Sequence, residues 1–202
     1  MKDKEKTKRK IIDAVGEVIK ADGFQNLKIS KVSQYANVDR KLIYRYFGNL
    51  NHLIEAYIVE NDYWMVFADK MKQMLADRQY PESENLIKEI LQNQYKYFAS
   101  QKEMQRLILW ELSADSPLMK SIHNTRESMG EEFLEMAEPH FTGGKVNFRA
   151  IAALLVGGIY YTVLHTVYNG GTFAGIDLNT QDGKESILKA ISQIVSWAYQ
   201  DA

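Results

Sequence analysis

The amino-acid sequence predicts an all-α protein with about nine helices in two domains. Three observations predict this class. Proline occurs only three times in 202 residues, no segment shows the alternation of a strand, and apolar residues recur at helical spacing almost throughout. Hydrophobic residues make up 46% and charged residues 25% of the chain, as in ordinary globular proteins. Because the chain has no cysteine, disulfides and thiolate chemistry are excluded, and we expect a cytoplasmic location.

Three short helices are predicted in the first fifty residues, at about Lys6–Ala21, Ile29–Tyr35 and Arg40–Phe47. Asp22 and Gly23 stop the first helix. Asn37 tolerates the left-handed backbone of a tight turn after the second helix, and Asp39 is a candidate N-cap for the third. Two short helices joined by such a turn are typical of a helix-turn-helix, so we assign residues 1–50 to a DNA-binding domain.

The rest of the chain, residues 51–202, is predicted to form a second helical domain. Its helices are expected at about 49–77, 83–100, 103–112, 117–137, 146–168 and 184–199. The first of these starts in the N-terminal domain and shows no breaker, so it is predicted to connect the two domains without interruption. A glycine-rich segment at 169–183 is predicted to be a loop.

Charge is distributed unevenly between the two parts of the chain. Residues 1–60 carry 12 Lys and Arg against 8 Asp and Glu, whereas residues 61–202 carry 13 against 18. In a helix starting at Arg40, Ile43 and Phe47 point inward and the cations point outward. This pattern favours contact with a polyanion over a merely solvated basic helix. The predicted DNA-contacting residues are Lys28, Ser30, Lys31, Arg40, Lys41, Tyr44, Arg45 and Tyr46.

Four segments between Arg9 and Tyr57 follow a known pattern: IIDAVGEVIKADGF, KISKVSQYANVD, LIYRYF and HLIEAY. With these segments the region resembles the DNA-binding domain of the tetracycline-repressor (TetR) family. It implies a homodimeric regulator whose second domain binds a small effector. The chain departs from the family pattern at Lys28, Asn37, Asp39 and Leu50, where Thr, Gly, Ser and Lys are usual. The change at Leu50 removes a phosphate contact that the resemblance would place at the start of the fourth helix.

Methionine and aromatic residues are frequent in the second domain, and such side chains line adaptable apolar pockets. They are also ordinary core residues, so packing remains the alternative for each one. The candidate ligand-binding residues, for a partly apolar effector, are Trp64, Phe67, Met71, Trp110, Met129, Tyr161 and His165.

A homodimer interface is predicted on the last two helices, 146–168 and 184–199. Ala153, Gly157 and Gly158 let another helix approach closely, and an apolar stripe follows on the last helix at Ile187, Ile191, Ile194 and Ala198. Packing within one chain is the alternative. Residues 150–171 contain no Asp, Glu, Lys or Arg, but their Tyr, Thr and His residues favour a protein interface over a membrane span.

No catalytic, metal or cofactor site is predicted. The four histidines are scattered, and no nucleophile, phosphate-binding or dinucleotide motif is present. We therefore expect a transcriptional regulator, a repressor relieved by an effector, rather than an enzyme. The alternative is a helical carrier or scavenger of small molecules whose DNA-binding domain no longer functions.

Overall fold

The structure, a computed structural model, describes residues 2–64, 66–67, 83–113 and 117–202. The chain divides into two compact units. Unit 1 comprises Met1–Val66 and Gln101–Arg126, and unit 2 comprises Phe67–Ser100 and Glu127–Ala202. The domain boundary at residue 50 stays a prediction; in the described residues, Leu50–Asn61 and Lys102–Ser113 both contact the first helix, Lys2–Asp22.

The described residues form nine α-helices and a two-stranded hairpin, which confirms the all-α class. In chain order they are α1 Lys2–Asp22, α2 Ile29–Ala36, α3 Arg40–Phe47, α4 Leu50–Asn61, α5 Ser83–Ser100, α6 Lys102–Ser113, α7 Pro117–Phe141, α8 Phe148–Tyr168, β1 Thr172–Phe173, β2 Ile176–Asp177 and α9 Gln181–Gln200. Helix α7 contributes residues to both units. A short 3-10 turn at Phe24–Asn26 follows α1.

The core of unit 1 is built on α1, which begins at Lys2 rather than at the predicted Lys6. Its apolar stripe is buried against α2 and α4. Gly16 lets α4 approach, because a Cβ at this position would lie 3.0 Å from the ring of Tyr57. From α6, the guanidinium of Arg106 donates to the carbonyl of Ile19 at 2.7 Å, and the same carbonyl also accepts from the Gly23 amide at 3.0 Å at the end of α1.

Helix α4 ends at Asn61, so the prediction of an uninterrupted helix to about Asp77 is wrong. Asp62 has extended backbone (φ −74°, ψ 137°), and its side chain accepts from the Trp64 amide at 3.1 Å, as an N-cap does. The other carboxylate oxygen accepts from Nε of Arg126 at 2.8 Å, and Arg126 also pairs with Glu111. A buried ion cluster therefore fixes the break, where no proline or glycine marks it. Residues 68–77 of the predicted helix lie outside the described residues.

Unit 2 is organised around α5, α8 and α9. The Gln92 amide of α5 donates to the Leu188 carbonyl at 3.1 Å and to the Ser192 hydroxyl at 2.8 Å, both on α9. Toward α8, Phe98 makes an edge-to-face contact with Tyr160, with ring centroids 4.8 Å apart. The interior of unit 2 is therefore held by aromatic packing and by polar contacts at the edge of α5.

Helix α7 passes through Pro139 and ends at Phe141, whereas the sequence predicts an end near Ala137. The last turn is held by tertiary contacts: His140 stacks on Tyr199 with centroids 4.5 Å apart, and Phe141 stacks on Phe148 at 4.6 Å. Aromatic packing here outweighs the local preference against proline.

The predicted loop between α8 and α9 contains the hairpin β1–β2. Thr172 pairs with Asp177 and Phe173 with Ile176. Ala174 (φ 51°) and Gly175 (φ 79°) form its two-residue turn, and both have the positive φ that such a turn requires. Period-2 patterning could not reveal strands this short.

Candidate functional site

The turn before α3 has the local geometry that the sequence predicts. Asn37 adopts the left-handed conformation (φ 50°, ψ 52°) at the end of α2. Asp39 caps α3, since its carboxylate accepts from the Lys41 amide at 2.8 Å. The Ser33 hydroxyl donates to the Val38 carbonyl at 2.7 Å and closes the turn from the side of α2. These bonds fix the direction in which α3 leaves the turn.

Helix α3 separates apolar from cationic residues. Ile43 is fully buried. On the other side of the helix Arg40, Lys41, Tyr44 and Arg45 are all exposed. Residues at these spacings cover one continuous arc of a helix surface, so three cations and a phenol face outward together.

The remaining DNA-contact candidates differ in position. Lys28 and Ser30 are exposed at the start of α2. Lys31 is half-buried and pairs with Asp22 at 2.6 Å. Tyr46 lies on the inner side of α3, half-buried, with the Lys4 ammonium 5.9 Å from its ring centroid. The outward arc of α3 with Lys28 and Ser30 is therefore the surface best placed to meet a polyanion.

Helix α4 begins with an Asn49 N-cap and has Leu50, not a lysine or arginine, as its first residue. The Asn49 side chain accepts from the His52 amide at 2.9 Å, and Leu50 is half-buried. The loss of a phosphate contact at Leu50 stays a prediction. At the opposite end of α4, Arg9 of α1 pairs with Glu60, a contact that no local sequence signal indicates.

The candidate ligand-binding residues fall in several places. Trp110 stacks on Phe24 in unit 1, with centroids 4.1 Å apart, and thus belongs to the core of that unit. Trp64 meets Tyr63 edge-on, and in unit 2 Phe67 does the same with Tyr97. The structure brings Tyr161 and His165 together, with Phe173 4.9 Å from His165. Half-buried Met129 lies on α7, and Met71 lies outside the described residues.

A polar residue that sequence reasoning missed, Gln94 of α5, is fully buried in unit 2. Among the described residues, neither its amide nitrogen nor its amide oxygen has a hydrogen-bond partner. Leaving one buried polar group unsatisfied costs about 1–3 kcal/mol. The adjacent Tyr95 is also buried, and burial raises the pKa of its hydroxyl. A glutamine at an apolar position of the helical pattern was the available signal.

The outer face of α8 is apolar and exposed. Leu154 is 78% exposed and Tyr161 52% exposed, and both lie on the helix face that carries Gly157 and Gly158. A Cβ added to either glycine would meet nothing within 4 Å. On α9 the predicted stripe needs correction, because its members Ile191 and Ala198 are buried within the chain. Trp197, 56% exposed, is the large apolar residue that α9 presents outward.

Helix α8 is also long and apolar enough to cross a bilayer, and only 22% of its most apolar window is buried. A single helix of this kind is a weak indication of a membrane span. Within the described part of the chain, no three His, Asp or Glu side chains are grouped so that they could hold a metal ion.

Comparison with known proteins identifies the region around α3. Residues 11–57 match the family described as bacterial regulatory proteins, tetR family. The N-terminal domain is a TetR-family domain. The matched TetR segment extends from the middle of α1 to the middle of α4 and contains the whole helix-turn-helix. The resemblance read from the sequence is thereby confirmed.

Solved structures extend the similarity to the full TetR fold. The fatty acid degradation regulator FadR from Bacillus halodurans superposes with a TM-score of 0.69 at 18% identity, covering 94% of each chain. FadR from Bacillus subtilis in complex with stearoyl-CoA gives 0.66 at 18% identity, covering 91% of this chain and 97% of that one. A TetR family regulator from Marinobacter aquaeolei VT8 gives 0.65 at 14%, covering 96% and 98%. No curated protein sequence matches significantly.

Proposed function

We propose that the protein is a homodimeric, DNA-binding transcriptional regulator of the cytoplasm, a repressor that a small-molecule effector releases from its operator. The observation that carries the proposal is the outward arc of α3 within a TetR-family domain. Arg40, Lys41, Tyr44 and Arg45 are exposed together there, and Asp39 and Asn37 fix the helix that carries them.

The arc has the chemistry to read a major groove. Arg40 and Lys41, at the N-terminal end of α3, can donate to the O6 and N7 acceptors of guanine. The Tyr44 hydroxyl suits a phosphate oxygen, which sets the register of the protein on DNA but carries no sequence information. Lys28 and Ser30 stand where the free N–H groups of α2 also favour a phosphate.

Dimerisation would use the exposed face of α8 together with Trp197 of α9. In an isolated chain an apolar patch of this kind remains in water, which is unfavourable. Gly157 and Gly158 permit a second helix to approach the backbone closely. A two-fold dimer presents two copies of α3 to half-sites about 34–36 Å apart, one turn of DNA.

The effector is proposed to be a small, partly apolar molecule that binds in unit 2. The complex of the similar B. subtilis protein with stearoyl-CoA supports an apolar component. Binding would favour a conformation in which the two α3 helices no longer match the half-site spacing. Since Arg126 of α7 pairs with Asp62 at the end of α4, movement of α7 would act directly on α4.

Selection from a random pool of duplex DNA tests the proposal and does not require a known operator sequence. We expect enrichment of an inverted repeat whose half-site centres are separated by whole helical turns. If no DNA sequence is enriched, the proposal that the protein reads DNA is contradicted. Binding of apolar small molecules by the same protein would then favour a carrier or scavenger. The lack of a cation at the start of α4 is the observation that favours this second candidate.

A further inference from the structure

Gln94 occupies the centre of the buried face of α5. Ile87 and Ile90 precede it, Leu91 and Phe98 flank it on the same face, and all of them are buried. At this position the side chain cannot turn to water, and both ends of its amide lack a partner among the described residues. Native interiors satisfy nearly all such groups, so one that is open on both ends indicates a missing partner.

Gln92, two residues earlier on the same helix, shows what a satisfied glutamine looks like. Its amide nitrogen donates to the Leu188 carbonyl and to the Ser192 hydroxyl. Both residues are glutamines on α5, and they differ in whether the fold supplies a hydrogen-bond partner for the side-chain amide. The fold therefore supplies hydrogen-bond partners for the amide of Gln92, at the edge of the buried face of α5, but none among the described residues for the amide of Gln94 at its centre.

The surroundings of Gln94 restrict what can fill the gap. No charged side chain is buried among the described residues of unit 2, because Asp62 and Arg126 belong to unit 1, and apart from Gln94 the buried residues with polar side-chain atoms are Tyr95 and Tyr199. A buried ion without a counter-ion is strongly disfavoured. The group that meets Gln94 must therefore be uncharged, able to hydrogen-bond, and attached to an apolar body that suits the isoleucine, leucine and phenylalanine side chains.

We propose that Gln94 is the specificity-determining contact of the effector site and binds an uncharged amide, hydroxyl or carbonyl group of an apolar ligand. The inference rests on the proposed effector-binding function and specifies its ligand class. It assigns the polar contact to a residue on the buried face of α5. An amide is the best complement, since it supplies one acceptor and one donor to the two open ends of Gln94.

The test compares four probes that share one decyl chain: decanamide, 1-decanol, decanoate and decylammonium. Thermal unfolding of the full-length protein is followed with each probe below its critical micelle concentration. We expect decanamide and 1-decanol to raise the Tm of the wild-type protein, and the two charged probes to raise it less. The apparent affinity of decanamide should exceed that of decanoate by about tenfold.

Two matched variants separate ligand recognition from packing. Gln94→Leu removes the unsatisfied amide, so the Tm without ligand should rise by about 2–4 °C, and the preference for neutral probes should disappear. Gln92→Leu removes the two hydrogen bonds from Gln92 to α9, so its Tm without ligand should fall while the preference for neutral probes remains.

Equal responses to the four probes, or no response to any of them, would overturn the proposal. A loss of Tm in Gln94→Leu as large as that in Gln92→Leu would also overturn it. Because no DNA is present, these results are independent of the test of DNA reading.

Discussion

Units 1 and 2 differ in how their buried polar groups are paired and in the character of their exposed surfaces. In unit 1 the buried Asp62 and the half-buried Glu111 both pair with the buried Arg126, and the exposed arc of α3 is cationic. In unit 2 the buried Gln94 is open, and the exposed face of α8 is apolar. The buried charges described in unit 1 are therefore paired with each other, and its exposed arc has the charge that suits a polyanion. In the described part of unit 2, Gln94 lacks a hydrogen-bond partner and α8 leaves an apolar face in water, which fits the proposed binding of a ligand and of a second copy of the chain.

The same difference explains where a mutation should reduce stability and where it should reduce binding. We expect the buried charges in unit 1 to contribute to folding and the charges on α3 to contribute to the proposed complex with DNA. In unit 2 we expect the exposed apolar residues to contribute little to the fold of one chain and much to the proposed association. The following variants test this contrast.

The largest expected effect is on the ion cluster of unit 1. Arg126→Met leaves Asp62 and Glu111 without their cation, so the free energy of unfolding should fall by about 3–5 kcal/mol. The matched control is Arg149→Met in unit 2, because Arg149 also bridges two carboxylates, Glu131 and Glu138, but is exposed. Urea denaturation measures both. Similar losses in the two variants would contradict the contrast between the units.

Cations on α3 and on α2 are expected to make different contacts with DNA, to bases from α3 and to phosphates from α2. Arg40→Ala removes a candidate base contact, so binding to the selected operator should weaken by about 1–3 kcal/mol and sequence preference should relax. Lys28→Ala removes a candidate phosphate contact, so all sequences should bind more weakly and the salt slope should decrease by about one. Competition titrations at several salt concentrations measure both effects. The reverse pattern would exchange the roles of the two residues.

The apolar face of α8 should control association. Gly157→Leu fills the space left for a second helix, so the dimer dissociation constant should rise at least about tenfold. The control is Gly130→Leu on α7, where an added Cβ also meets nothing within 4 Å. Both changes favour helix formation, but only the first should produce monomers in sedimentation equilibrium. Unchanged association in Gly157→Leu would place the interface elsewhere.

The smallest expected effect concerns Glu84 at the start of α5. A hydrogen bond from Lys88 lowers the pKa of Glu84 despite partial burial, and a second from Ser196 lowers it further. The pKa of Glu84 is lower in the folded than in the unfolded protein, so its ionised carboxylate stabilises the fold. This stabilisation is fully present above the unfolded-state pKa and is lost as the pH falls through the folded-state pKa. Glu84→Gln should lower stability by about 0.5 kcal/mol at pH 7.

The difference between Glu84→Gln and the wild-type protein should shrink as the pH falls below the ordinary pKa of glutamate, 4.5. Urea midpoints between about pH 3 and 7 measure it. A difference that grows on acidification would show that the carboxylate is not stabilised in the folded state.

Local signals predicted the helix-turn-helix well. Helix α3 begins and ends where the sequence places it, and Asn37 and Asp39 have the conformations expected of a left-handed turn residue and an N-cap. These features depend on neighbours within a few residues. The TetR resemblance rested on the same segment, and the family match covers it.

The errors arose where distant residues decide the conformation. The break at Asp62 depends on Arg126, 64 positions away, and the passage of α7 through Pro139 depends on aromatic rings of α8 and α9. Trp110 was a pocket candidate by composition and stacks on Phe24 in unit 1, a contact that the sequence did not indicate; its role in ligand binding stays a prediction. Gln94 was passed over because a pattern of apolar residues does not show whether a polar side chain among them is satisfied.

The central claim, that the α3 arc reads DNA, is tested most directly by fluorescence anisotropy with the fragment upstream of the protein's own gene. The wild-type protein is compared at two salt concentrations, against an unrelated fragment, with Arg40→Ala/Lys41→Ala. The control is Lys184→Ala/Lys189→Ala, which removes two exposed cations from α9. We predict saturable, fragment-selective binding that weakens steeply with salt, about 100-fold weaker in the α3 variant and unchanged in the control. Sequence-indifferent binding, or equal losses in the two variants, would contradict the account.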